Sequence, residues 1–98
     1  MLLYNVTVKI DRDIEEEWLR WMKEVHIPEV MRTGQFLDSR ISRLLDQPEE
    51  DEPTYVIQYS CESREKLEYY FSEFASELRE KHNRRYKDRF VAFRTVQI

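Results

Sequence analysis

The chain opens with a segment in which apolar residues recur at every second position. In LLYNVTVKI, residues 2–10, one set of alternate positions is wholly apolar, whereas the other set includes Asn5, Thr7 and Lys9. Alternation with a period of two is typical of a β-strand that buries one of its faces. The sequence therefore predicts a first strand whose second face carries polar side chains.

Two later segments have the period of an amphipathic helix. The apolar positions of the first are Ile14, Trp18, Trp21, Met22 and Val25, and those of the second are Leu67, Phe71, Phe74 and Leu78, with Tyr70 beside them. Spacings of three and four residues place such side chains on one face of a helix. Each segment is therefore predicted to pack one helical face on a core.

Three residues mark expected ends of these helices. Pro28 has no backbone N–H, so it is expected to end or kink the first helix near His26 and to start a further turn. Gly34, the only glycine of the chain, is the expected left-handed residue that closes that turn. Ser63 is the expected N-cap of the second helix.

Three more strands complete the pattern. Residues 36–46, 54–62 and 89–98 are the predicted strands, and QPEEDEP, residues 47–53, is a polar hairpin loop. The element order β α β β α β is typical of the ferredoxin-like α+β fold, a four-stranded antiparallel sheet with two helices on one face and strands one and three at its centre. The length of 98 residues fits a single domain, 1–98.

A fold of two layers leaves one face of the sheet uncovered. The strand residues available for it are Leu3, Asn5, Thr7, Lys9, Val56, Gln58 and Ser60. Only Lys9 among them is charged, and a neutral, partly apolar face is better suited to a partly buried cavity than to water. We therefore expect a homodimer, a dimeric α/β barrel, in which Asn5, Thr7, Gln58 and Ser60 orient a small-molecule ligand between the sheets.

The last strand leaves the position of Arg94 open. If Val91 and Phe93 lie under the helices, Arg94 points to the uncovered face and joins the ligand-binding residues. In the opposite register Arg94 lies at a helix edge and reaches solvent along its stem. The sequence does not distinguish these two registers.

Three segments resemble a known family. LYNVTVKID at the start, EEEWLRWMKEVHIPEVMRTGQF through the first helix and LREKHNRRYKDRFVAFRT near the end are similar to an uncharacterised family of short bacterial proteins, classed as a domain of unknown function. The resemblance covers nearly the whole chain. It implies a ferredoxin-like, dimeric α/β barrel and no established activity, so it transfers no catalytic residues.

The charge distribution suggests one further site. A net charge of −4 argues against a dedicated nucleic-acid partner. The segment 79–89 is nevertheless basic, and its residues Arg84, Arg85, Lys87 and Arg89 could form an anion patch or contact another subunit. The alternative is that they stabilise the negative end of the second helix.

The sequence contains no clear pattern for a membrane segment, a metal site or a cofactor site. No segment has the length of a membrane span or the pattern of a signal peptide, so a cytoplasmic protein without a membrane partner is expected. The single Cys61 is expected in the core, and one Cys with two distant His residues matches no metal-ligand spacing. One glycine excludes the usual phosphate-binding loops, and no cofactor is predicted.

The sequence leaves alternative roles open for the two histidines and alternative functions open for the protein. His82 is expected to cap the second helix in its charged form, or else to be an axial haem ligand, and His26 to have a structural role at the break in the first helix. Trp18 and Trp21 are expected to pack on the sheet. Besides a ligand-binding homodimer, the sequence allows a cofactor-independent monooxygenase-like or haem-binding enzyme, or a structural or partner-binding protein.

Overall fold

The computed structural model describes residues 1–98 and has the predicted order of strands and helices. The strands are β1 (Leu2–Ile10), β2 (Asp38–Arg43), β3 (Thr54–Cys61) and β4 (Phe90–Gln97). The first long helix consists of α1 (Glu15–Trp21), a π-helical segment (Met22–His26) and α2 (Ile27–Arg32). The second consists of α3 (Arg64–Tyr70), a π-helical segment (Phe71–Ala75) and α4 (Ser76–Arg85). None of these helices combines the length and apolar character needed to cross a bilayer.

The sheet has the order β2-β3-β1-β4, and each neighbouring pair is antiparallel. The predicted central position of strands one and three is thus confirmed. One face of the sheet packs on the helices through contacts such as Trp18 on Tyr55 and His82 on Phe90. A core of 18 buried hydrophobic residues fills this layer. We call the other side of the sheet the open face.

The register between β1 and β4 decides the orientation of Arg94. Arg94 is opposite Val6, and Phe93 is opposite Thr7. Val6 packs against the core beneath the helices, and neighbouring residues of paired strands point to the same side of a sheet. Arg94 therefore faces the helices, and its assignment to the open face together with Asn5 is wrong.

Each long helix contains a π-helical segment that shifts its buried face. In the first, Val25 is 39% exposed although the helical spacing predicts it to be buried, and Ile27 is buried instead. In this segment the Ile27 N–H bonds to the Met22 carbonyl five residues back. Pro28, which has no N–H for the carbonyl four residues earlier, fits such a wider turn. The helix continues through Pro28 with a wider turn and does not end at His26 as one alternative held.

The same shift in the second helix leaves Phe71 37% exposed, whereas Tyr70 and Ala75 are buried. The predicted apolar stripe is therefore only partly right for both helices. A regular period of 3.6 residues fails at Val25 and Phe71, which lie in the π-helical segments, whereas Leu78, after the second segment, is buried as predicted.

The predicted roles of Gly34 and Ser63 at the helix ends are confirmed. Gly34 has φ of +79°, the left-handed region that favours glycine, and the Ser63 hydroxyl accepts a hydrogen bond from the Lys66 N–H at 3.3 Å. Strand β2 is shorter than the predicted 36–46. Phe36 is buried before the strand begins, and Leu45 lies after it with 82% of its surface exposed.

Candidate functional site

A small cavity lies between the two long helices and the β1–β4 side of the sheet. Its volume is about 30 Å³, close to the space that one water molecule or one carboxylate group occupies. Its apolar wall is formed by Val6, Val8, Met22, Phe90 and Ala92, and its polar wall by His26, Arg79, His82 and Arg94. We call this the helix-side cavity.

His82 is held in place by a buried hydrogen bond. The indole Nε1–H of Trp18 donates to the His82 Nε2 at 3.0 Å, and Trp18 itself is fully buried. A neutral His82 therefore carries its proton on Nδ1. Burial lowers the pKa of His82 to about 4, with a smaller contribution from neighbouring His26. His82 is thus uncharged at neutral pH, which corrects the expectation of a positively charged helix cap.

His26 lies on the opposite wall, stacked on Trp21 with 5.3 Å between ring centroids. Its centroid is 5.8 Å from that of His82. Burial lowers the pKa of His26 to about 4, although Glu29 acts in the opposite direction. The Nδ1 atom is buried and has no hydrogen-bond partner within the protein. Buried polar atoms are rarely left in this state, because each costs about 1–3 kcal/mol.

The position of His26 follows from the chain around it. His26 ends the π-helical segment, and α2 begins at the following residue with Pro28 in its first turn. Since a π-helical turn contains an additional residue, the inward face moves forward along the chain, from Val25 towards His26. Such turns occur frequently at functional sites. The expected break at Pro28 is therefore what brings an imidazole to the cavity wall.

Two guanidinium groups complete the polar wall. Arg79 donates from Nη2 to the Tyr4 hydroxyl at 3.1 Å, while its Nε is buried without a partner. Its guanidinium also lies 5.8 Å from the centroid of the Phe71 ring. Arg94 takes part in no ion pair. No carboxylate lines the cavity, so its polar wall is an arrangement of hydrogen-bond donors with net positive charge.

This arrangement suits a small group that accepts hydrogen bonds. Arg79 and Arg94 supply charged donors, and neutral His82, whose Nε2 accepts from Trp18, keeps its Nδ1–H as a donor. The apolar wall excludes water from part of the cavity, which strengthens such interactions. Chemically, the cavity can hold and orient a polar or anionic group.

The open face carries the other predicted site. The structure brings Asn5, Thr7, Gln58 and Ser60 together on this face, in the pairs Asn5↔Gln58 and Leu3↔Ser60. The Asn5 amide donates to Gln97 Oε1 at 2.7 Å, and its carbonyl accepts from Gln58 Nε2 at 2.9 Å. Asn5 is only 6% exposed. These amides satisfy each other, and their role as ligand contacts stays a prediction.

The predicted anion patch does not present free guanidinium groups. Arg85 pairs with Glu17 at 2.6 Å, Arg84 with Glu80 at 3.4 Å, and Arg89 with both Asp11 and Asp13 at 2.6 Å. Lys87 remains beside them at the end of the second helix. Arg85 and Arg89 neutralise the acidic start of the first helix, so the basic segment links the two helical regions. The geometry therefore does not favour an open anion patch.

The remaining candidates have structural surroundings. Cys61 is fully buried and its Sγ contacts the Gln35 and Ser63 carbonyl oxygens, so its expected place in the core is confirmed. Trp18 packs on Tyr55 of the sheet as predicted. As an axial haem ligand His82 would need its Nε2 free, but the Trp18 indole occupies that atom. No three His, Cys, Asp or Glu residues are placed to hold a metal ion together.

Arg79 is the residue of the cavity that the sequence reasoning missed. It lies in a strongly charged stretch, where one more arginine carries no distinctive signal. The position one residue after Leu78 in the apolar stripe was the available indication, since the neighbours of a buried position often lie at the edge of the packed face.

Sequence comparison identifies the family. A family model described as a domain of unknown function, DUF4286, matches residues 1–97. The chain belongs to the DUF4286 family. The resemblance stated from the sequence is thereby confirmed, and no curated protein sequence is significantly similar to this DUF4286 chain.

Solved structures show the same fold at low identity. A dimeric ferredoxin-like protein from an uncultured marine organism has a TM-score of 0.72 and 13% identity, covering 98% of this chain and 91% of the other. A protein of the EthD family from Bacillus halodurans has a TM-score of 0.71 and 10% identity, covering 100% of both chains. A candidate antibiotic biosynthesis monooxygenase from Deinococcus radiodurans has a TM-score of 0.71 and 13% identity, covering 100% of this chain and 91% of the other. At these identities the likeness shows that the DUF4286 chain has the ferredoxin-like α+β fold.

Proposed function

We propose that the protein is a homodimer that binds a small molecule in the helix-side cavity of each protomer. The observation that carries this proposal is that two of the residues lining the cavity each have a buried polar atom without a partner, His26 Nδ1 and Arg79 Nε. Each is costly in the protein alone, and a bound polar group removes that cost. A small-molecule-binding protein is the function that this geometry supports best, and a location in the cytoplasm is proposed from the sequence alone.

The open face supports the homodimer. On β4 it presents Val91 and Phe93, which are 67% and 60% exposed. Exposed apolar residues on one sheet face are typical of a surface covered in the assembled protein. A solved neighbour of the same fold is described as dimeric. Because Asn5 and Gln58 already pair with each other, we assign them to the interface between protomers and the ligand to the helix-side cavity.

Strand β4 connects the two features. Its alternate residues face opposite sides, so Val91 and Phe93 face the partner protomer, whereas Ala92 and Arg94 line the cavity. As an edge strand, β4 is paired on one side only. Association would therefore fix the position of the strand that carries Arg94, and dimer formation would support ligand binding.

Sedimentation of a charged variant tests the homodimer. The wild-type protein should sediment at twice the 12.2 kDa chain mass at micromolar concentration. The change Phe93→Lys should shift it to the monomer, since burying an unpaired charge in an interface is costly. Tyr69→Lys, at a 52% exposed residue of the second helix, is the matched control and should remain dimeric. A monomeric wild-type protein would overturn the proposed assembly.

Ligand binding is tested through the two indole N–H signals in NMR spectra. Trp18 bonds to His82 and Trp21 stacks on His26, so both indoles report on the cavity. We expect members of a panel of neutral and anionic ring fragments to shift these signals, and the shifts to vanish in Ala92→Leu, which fills the cavity. If no fragment of either kind shifts the signals, the proposed binding function is wrong.

A second candidate is an enzyme of the cofactor-independent monooxygenase kind, which has the unpartnered His26 Nδ1 in its favour as a proton acceptor. A pKa of about 4 makes it a weak base, so it would need an acidic substrate. Oxygen consumption with hydroxylated aromatic compounds whose hydroxyl group is acidic tests this function. Consumption should be lost in His26→Gln, and an unchanged rate in that variant would contradict the role.

A further inference from the structure

We infer that the helix-side cavity recognises the carboxylate of a small molecule with an apolar body, and that Arg79 and Arg94 are its two anchors. This inference rests on the proposed binding function and adds the chemical class of the ligand. It also assigns a role to a residue, Arg79, that the sequence pattern did not distinguish.

Arg79 has the geometry of a group prepared for an anion. Tyr4 takes one of its donors, and the Phe71 ring lies beside the guanidinium at 5.8 Å, which restricts its orientation. The buried Nε–H is left free for another acceptor. An oriented guanidinium with a free N–H is well suited to a carboxylate, which accepts several hydrogen bonds in one plane.

The electrostatics around the cavity point to the same ligand class. Arg84 and Arg85, on the same helix as Arg79, form ion pairs with Glu80 and Glu17. Arg79 and Arg94 form none. The cavity wall holds no acidic residue. In a protein with net charge −4, two unpaired arginines on one partly buried wall favour an anion supplied from outside the chain.

The size and surroundings of the cavity define the rest of the molecule. A volume of about 30 Å³ accepts a carboxylate but not a ring. Phe71 and Val96 lie near the same arginines, Phe71 against Arg79 and Val96 two residues after Arg94, and they are 37% and 44% exposed. The carboxylate would enter the cavity, and the apolar body would cover these two side chains.

Titration of the wild-type protein with benzoate, benzamide and acetate tests the inference, with the two indole N–H signals as the readout. The experiment is performed at pH 7 and constant ionic strength. Benzoate should bind at least tenfold more tightly than benzamide, because only benzoate carries the charge that the arginines recognise. It should also bind more tightly than acetate, because its ring buries apolar surface.

Three variants locate the anchors. Arg79→Met and Arg94→Met keep much of the apolar stem and should each weaken benzoate binding at least tenfold. Arg84→Met removes the same charge from an exposed position of α4 and should bind benzoate like the wild type. Because Arg94 is exposed on a strand, its variant serves even if Arg79→Met fails to fold.

The outcomes separate this inference from the function on which it rests. Equal binding of benzamide and benzoate would overturn the carboxylate assignment while leaving small-molecule binding in place. An equal loss in Arg84→Met would show a general charge effect and would overturn the assigned anchors. Tighter binding of inorganic phosphate than of benzoate would overturn the ligand class. If neither benzoate nor any neutral fragment binds, the inference fails together with the proposed function.

Discussion

Acidification should destabilise this protein through its two histidines. His26 and His82 have pKa values lowered by burial from 6.5 to about 4. In the unfolded chain both return to the ordinary value and bind protons more readily than in the fold. Because the unfolded state then binds more protons, the free energy of unfolding falls as the pH decreases from 7 towards 4.

The size of the effect follows from these pKa values. Between pH 7 and pH 5.5 each histidine should contribute a loss of about 1.2 kcal/mol, or about 2.5 kcal/mol for the pair, if the unfolded pKa is 6.5. The charged groups that face them are Glu29, Lys81 and Arg94. Carboxyl groups in general titrate mainly below this pH range.

Urea unfolding at pH 7.0, 6.2 and 5.5, followed by tryptophan fluorescence at one protein concentration, measures this loss. In His82→Gln the side chain can still accept from the Trp18 indole but cannot titrate, so the pH dependence should halve. The double variant with His26→Gln should be nearly flat over the same range. A wild-type stability that does not change with pH, or a double variant with the wild-type slope, would refute the reasoning.

Three further predictions concern local structure, each measured by urea unfolding at pH 7. Trp18→Phe should cost about 2–4 kcal/mol, because it leaves His82 Nε2 without its donor and shrinks a fully buried side chain. A loss below 1 kcal/mol would contradict the importance of this bond. Ser63→Ala should cost about 1 kcal/mol through the lost bond from the Lys66 N–H, whereas Ser63→Asp should restore most of it. Gly34→Ala should cost about 1 kcal/mol, because its φ of +79° strains a residue that has a Cβ. The cost should not exceed this backbone strain, since no neighbouring atom lies within 4 Å of the added Cβ. A neutral result would show that the turn relaxes.

The element order could be predicted because its signals are local. Alternation in residues 2–10 and the spacing around Trp18 depend only on residues close in the chain, and so do the caps at Gly34 and Ser63. These features define the four strands, the two helices and the face of β1 that carries Asn5. The family match over residues 1–97 agrees with this level of description.

The candidate site depended on contacts that no local pattern contains. Arg94 could face either side of β4 until the pairing of Val6 with Arg94 placed it under the helices. The anion patch was plausible until Arg85 and Arg89 met carboxylates more than 60 residues away. His82 was expected to be charged because its burial against Trp18 cannot be read from its neighbours in the chain.

By itself the sequence determined the fold of this protein, since hydrophobic periodicity and turn residues act over a few positions of the chain. The tertiary structure alone decided where the chemistry lies. The strand register turns Arg94 towards the helices, and a π-helical turn before Pro28 moves His26 inward. Helix packing brings Arg79 and His82 to the same cavity. Each of these results from hydrogen bonds or packing whose free energy depends on the whole assembly of elements, and a one-residue change of phase would have turned the same side chains away from the cavity.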